Sequence, residues 1–164
     1  MWLRIVCVAM TLAVVTLLPA GAQSTTGMAA MQYYVGTWSC SAGTVGSSPL
    51  KTIETYAIES DIMREVYTTP IQGSMTKPYV SNLLTAYDAK QDRYVVVSLS
   101  ARGSLTAGEV RLDGNTEYWT YTASSSGKLG RGVGIRTDYN HFTFLSYTSP
   151  IATEPTFKEI CERS

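Results

Sequence analysis

The residues of this chain that could do chemistry are few, and their spacing argues against most reactions. There are thirteen carboxylates, three cysteines (Cys7, Cys40 and Cys161) and a single histidine, His141. No nucleophile elbow surrounds any serine, and no cysteine has a histidine near it in sequence, so nucleophilic catalysis has no recognisable machinery. General acid–base work needs a buried acid pair. Glu54, Glu59, Glu65 and Glu109 are spread over three candidate strands, where charges are expected on an outer, solvated face. One histidine and cysteines read as oxidised leave no expected metal site. No catalytic residue, metal ligand or cofactor is therefore assigned.

The other feature with chemical reach is aromatic. Tyr56, Tyr67, Tyr94, Tyr118 and Tyr121 lie on strand-like runs, and Trp119 stands among the last two. A tyrosine joins an apolar ring to a polar tip, so several turned inward would suit an amphipathic guest. Ordinary cross-strand packing accounts for such residues equally well. Gly130, Gly132 and Gly134 alternate and so share one face of a strand. Alternating glycines mark either a close approach of a ligand to the backbone or a bend overlain by rings such as Trp119 or Tyr121. The second reading is preferred.

Compartment follows from the first residues. Arg4 precedes an apolar run from Ile5 to Leu18, followed by Pro19-Ala20-Gly21-Ala22. This is the pattern of a secretory signal peptide cut after Ala22, and the run is short for a retained anchor, which needs roughly 20 residues. Residues 1–22 are read as the signal and 23–164 as one domain, located in the periplasm or outside the cell. Cys7 leaves with the signal. Of 13 basic residues only Arg4 goes too, against 13 acidic ones, so the mature chain is nearly neutral. That excludes a basic nucleic-acid surface and a charged membrane-binding face, and no membrane span remains after cleavage. Oligomeric state is not legible.

Periodicity supplies the elements. Apolar and polar residues alternate with period two in runs rich in Tyr, Val, Ile, Thr and Phe, broken by turn signals roughly every ten residues. One helical turn is expected over Met28–Tyr34, capped by Thr25 or Thr26 and stopped by Gly36. Ten strands are expected at 35–43, 51–59, 62–69, 79–88, 93–100, 105–112, 116–123, 131–138, 141–148 and 155–162. Ser60-Asp61, Asp113-Gly114-Asn115 and Tyr139-Asn140 are tight-turn chemistry. Links this short exclude parallel crossovers, so the topology is an antiparallel up-and-down meander.

An open ten-stranded meander would expose two edges, and closure removes both. With an even strand count the first and last strands run oppositely and can pair. Cys40 and Cys161 sit on those strands, and two cysteines in an oxidising compartment are read as a disulfide, with two buried thiols as the rival. Facing Cys40 with Cys161 places Trp38 opposite Arg163, where guanidinium can lie on indole. Expected is an all-β closed barrel of about ten strands.

The turn leading into Gly36-Thr37-Trp38, with Arg163 to cover the tryptophan, resembles the calycin superfamily of lipocalin-like barrels. The strand count is more similar to its fatty-acid-binding and nitrobindin-like branches. Tyr-Val-Gly-Thr-Trp-Ser-Cys with a second Cys near the end also resembles an uncharacterised family of small bacterial exported proteins. The resemblance implies a cup for a small apolar or amphipathic molecule. It also implies haem as the one cofactor to consider, with His141 as the only residue able to be its axial ligand; an exposed turn histidine is the preferred reading. A barrel with a packed interior, acting as a structural or interaction module of the envelope, is the alternative function.

Overall fold

A computed structural model describes residues 27–127 and 129–164. The proposed signal segment and the Thr25 or Thr26 cap lie outside the described residues. The chain enters through a 3-10 helix, Gly27–Tyr34, and continues into ten strands: β1 (Gly36–Thr44), β2 (Leu50–Glu59), β3 (Ile62–Thr69), β4 (Tyr79–Asp88) and β5 (Arg93–Ser100), then β6 (Leu105–Asp113), β7 (Thr116–Ser124), β8 (Arg131–Asp138), β9 (His141–Tyr147) and β10 (Phe157–Arg163). Every strand pairs antiparallel with its sequence neighbours, and β1 pairs with β10, so the sheet is a closed barrel. The meander and its closure are as the sequence indicates, and no helix among the described residues is long and apolar enough to cross a membrane.

The seam has the expected register. Cys40 faces Cys161, and Trp38 faces Arg163. The two sulfurs are bonded across a sequence separation of 121. Such a link removes loop-closure entropy from the unfolded chain, on the order of 4 to 5 kcal/mol in the chain-entropy picture.

The two ends of the barrel differ. Tight hairpins join β2 to β3, β6 to β7 and β8 to β9 at one end. Ser60 and Asp61 adopt positive φ there, at 49° and 62°, as a two-residue turn matched to strand twist requires. The 3-10 helix lies against β2, β3 and β4 at this end and acts as a plug. Its backbone carbonyls are received by the barrel: the Tyr94 hydroxyl donates to Gly27 O at 2.8 Å, Arg136 Nη1 to Ala30 O at 3.2 Å, and Trp38 Nε1 to Tyr34 O at 2.8 Å. Arg163 donates to Val35 O at 2.8 Å and to Tyr33 O, and its guanidinium sits 4.2 Å from the centroid of the fully buried Trp38 ring. Gly36, at φ 127°, makes the turn from plug to β1, and a Cβ there would stand 3.1 Å from Arg163 Nη1. Only glycine meets both demands without strain.

Inside this end the core is dense. Met31, Tyr34, Trp38, Tyr56 and Phe142 belong to one cluster, with Trp38 and Phe142 edge to face at 4.9 Å. The opposite end carries the longer links, 45–49, 70–78, 101–104, 125–130 and 148–156, and no element covers it among the described residues.

Candidate functional site

Strand parity decides what the interior contains. On β2 the inward residues Thr52, Glu54 and Tyr56 are all buried while Ile53 and Thr55 are exposed. The side chains of Glu65 and Tyr67 on β3 follow the same face. Across β2 and β3, Glu54 pairs with Tyr67 and Tyr56 pairs with Glu65, a chequerboard of two carboxyl groups and two phenols. All four line one cavity of about 140 Å³, together with Glu117, Trp119 and Tyr121 from β7, Glu159 from β10 and apolar walls that include Met31, Met63, Leu83, Phe142 and Phe144. A second hollow of about 350 Å³ lies toward the unplugged end, and it shares Leu83, Trp119 and Tyr121 with the first. The interior thus holds a pocket floored by plug residues Met31 and Tyr34 and, adjoining it at Leu83, Trp119 and Tyr121, a larger hollow, the vestibule, toward the other end.

The glycines of β8 make this room. A Cβ on Gly132 would stand 2.5 Å from Phe144 Cζ and 3.2 Å from Trp119 Cβ, and one on Gly134 would stand 2.9 Å from Glu117 Oε2. Rings and a carboxylate lie over the glycines, in keeping with the preferred sequence reading, with Phe144 the ring in closest contact.

The expectation that the strand glutamates face solvent is overturned for Glu54 and Glu65. Glu54 is 2% exposed, and Glu65 is part-exposed within the cavity it lines. The expectation holds for Glu59, which is exposed, while Glu109 pairs with Arg93. Glu117 and Glu159 were not singled out from sequence and are also interior, at 3% and 6% exposure. A signal existed for Glu159: it stands two residues before Cys161 on the same strand and so shares its face.

These acids fall into two groups. Glu117 is neutralised, because Arg136 Nη2 donates to it at 3.0 Å and Trp119 Nε1 also donates at 3.0 Å. Glu54, Glu65 and Glu159 have no cationic partner at ion-pair distance among the described residues. The Tyr56 hydroxyl donates to Glu54 Oε2 at 2.5 Å and Thr52 Oγ1 to Glu159 Oε1 at 3.2 Å. Burial raises the pKa of all three. For Glu54 the phenol partly offsets it; Glu65 is raised well above the usual range with help from Glu54; Glu159 is pushed up to about 10 by burial and then by Glu54. Each shift favours the neutral acid over the carboxylate, and at about 10 Glu159 holds its proton at ordinary pH. The same burial pushes Tyr67 and Tyr121 up to about 12, so both phenols keep their protons as donors.

The other residues expected to bind a ligand lie elsewhere. Tyr94 is buried beneath the plug, outside the cavity wall. Tyr118 is 50% exposed on the outer face, as it must be if Trp119 points inward. His141 sits at the hairpin end with Nδ1 2.8 Å from both carboxylate oxygens of Asp138, exposed to solvent. A haem does not fit these residues: the imidazole faces away from the cavity, and the cavity itself has about 140 Å³. Cys40, Glu54, Glu159 and Cys161 offer donor atoms within 4.8 Å of one another, but disulfide sulfurs are not thiolates and cannot serve as metal ligands.

No protein-family model matches the chain, and no curated protein matches it. Among solved structures it is similar to a redesigned β-barrel, at 13% identity and a TM-score of 0.46, over 86% of this chain and 99% of that one.

Proposed function

We propose that this chain is an exported, calycin-like barrel that binds a small amphipathic molecule in its interior, taken in through the end opposite the 3-10 plug. The observation that carries the reading is that the cavity and the vestibule adjoin, with Leu83, Trp119 and Tyr121 in the walls of both. A cavity of comparable size, roughly 150 Å³, accepts benzene in another protein, so the deep part suits a guest of about one ring, with any longer portion in the vestibule. Polar groups converge on one wall while rings and thioethers form the rest, which is the make-up of a small-molecule site. The disulfide is compatible with an oxidising, exported location, in agreement with the leader read at residues 1–22.

The reading of a packed structural module is supported by the plugged half, where Tyr34, Trp38 and Phe142 meet. That half serves as the floor of the binding site in the reading preferred here. Native mass spectrometry of the protein purified from its own cells tests the choice. A retained mass of roughly one-ring size supports binding, and an unliganded spectrum together with no uptake of one-ring probes favours the packed module.

A further inference from the structure

We propose that the guest is a small organic amine, bound as its ammonium ion against Glu54, Glu65 and Glu159 with its apolar body on the aromatic walls. This rests on the binding reading above and specifies its ligand.

Three observations on the interior carry it. First, three carboxyl groups from β2, β3 and β10 line one cavity and none has a cation beside it among the described residues; Arg136 is committed to Glu117, the Tyr34 hydroxyl and Ala30 O. Unpaired buried acids cost stability, and such groups cluster where a ligand uses them. Second, Thr85 on β4 is 1% exposed and lines the same cavity, and its Oγ1 has no hydrogen-bond partner. Its cross-strand partner on β3 is Met63, two residues along from Glu65, so the wall that carries the acids also holds an unpartnered hydroxyl. Third, Tyr34, Trp119, Tyr121, Phe142 and Phe144 are also in the wall, beside Met31, Met63, Leu83 and Val110, and aromatic rings attract cations.

Alternative guests use less of this. Calcium or magnesium needs six or more oxygen ligands, and zinc takes four, commonly histidine or thiolate; this wall offers no imidazole or thiolate among the described residues, and much of it is rings and thioethers. An anion would require all three acids to stay protonated, since any carboxylate formed beside it would repel it. A neutral apolar guest would leave the acids and Thr85 as they are.

Charge balance sets how binding works. The groups facing the site are Glu54 and Tyr56 on β2, Glu65 and Tyr67 on β3, and Glu159 on β10 beside the disulfide. Tyr121 and the Glu117–Arg136 pair face it from β7 and β8, and Tyr34 from the plug. Glu159, pushed up to about 10, holds a proton at neutral pH, and an arriving ammonium ion displaces that carboxyl proton to solvent. Only an O–H bond breaks, and the net charge of the site is unchanged. Ammonium binding therefore tightens as pH rises, by up to about tenfold per pH unit while one proton is released.

The test is calorimetric titration of the oxidised mature chain with benzylamine and with benzyl alcohol, its neutral counterpart, at about pH 6 and about pH 8 in buffers of different ionisation enthalpy. Expected are benzylamine binding at least about tenfold tighter than the alcohol, release of close to one proton, and tightening with pH. Glu54→Gln and Glu159→Gln should each weaken the amine and spare the alcohol. Thr85→Val should weaken the amine by about fivefold; should a glutamine variant fail to fold, this variant and the pH dependence of the native chain decide. Equal binding of amine and alcohol overturns the inference and leaves the cavity reading standing. Amine binding that is indifferent to the glutamine variants, or to Thr85→Val with pH, overturns it as well. Binding of neither probe overturns the cavity reading itself.

Discussion

The carboxyl groups of Glu54 and Glu159 meet beside the disulfide, with donor atoms of both acids and both sulfurs within 4.8 Å of one another. The link that closes the barrel therefore also fixes the distance between two acids on β2 and β10, the strands on either side of β1. Chain closure and the electrostatics of the interior are properties of one small region.

That region makes stability depend on pH. Burial and the neighbouring Glu54 push the Glu159 carboxyl from its ordinary 4.5 up to about 10 in the folded chain, so folding holds a proton there that the unfolded chain releases. Its contribution is complete below about pH 4.5 and is lost as pH rises toward 10. Glu54 and Glu65 act in the same direction. Urea unfolding at acid, neutral and alkaline pH should show stability falling by up to about 1.4 kcal/mol per pH unit per proton held. Glu159→Gln should flatten the curve and be more stable than the native chain at alkaline pH. A stability that instead rises from pH 5 to pH 9 would contradict this.

Cutting the seam should cost most of the margin. Reduction, or Cys40→Ser with Cys161→Ser, should lower stability by about 4 to 5 kcal/mol, read as the shift in the denaturant midpoint with and without reductant. A loss under about 1 kcal/mol would mean that β1 and β10 hold together in the unfolded ensemble without the bond.

Arg163 couples the plug to the seam. It caps Val35 O and Tyr33 O and lies between Trp38 and the Tyr139 ring, 4.5 Å from the latter's centroid. Arg163→Ala should destabilise by about 2 to 4 kcal/mol. Arg163→Lys should recover little of it, since an ammonium cannot fork to two carbonyls while stacking on indole. Tryptophan emission and thermal melts would read both effects; equal stability of the lysine variant would reduce the role of Arg163 to its charge.

Phe144 over Gly132 offers a test of packing. Gly132→Ala places a carbon 2.5 Å from Phe144 Cζ and should cost about 1 to 3 kcal/mol. Phe144→Leu in the same chain should restore part of that loss, so the double-mutant cycle should be non-additive by at least about 0.5 kcal/mol. Strict additivity would place the clash elsewhere.

Much of the architecture is written in local pattern. Turn residues such as Ser60-Asp61 and Tyr139-Asn140 set hairpins, alternation sets strands, and two cysteines on terminal strands set closure and the Trp38–Arg163 register. These are short-range or covalent constraints, each readable without coordinates. The last strand began later than expected, at Phe157 and not Pro155, and the last residues of the ninth strand extended only to Tyr147, because the segment 148–156 is spent on the wide link of the open end.

The candidate site was only partly legible. Parity from Cys161 makes Glu159 inward, and parity within β7 forbids Tyr118 and Tyr121 from sharing a face, yet which of the two enters the barrel was not readable. Register slips between Ala107 and Gly108 and between Arg136 and Asp138 break any count carried from the seam to β7. Depth was hidden as well: whether an inward glutamate is solvated or buried depends on which end the plug covers and on the room left by Gly132 and Gly134. By itself the sequence determined the strands, their order and the stitched seam, since these follow from neighbours along the chain. Tertiary structure alone decided that acids and rings converge on one hollow, because a cavity is set by the volumes of side chains from all around the barrel.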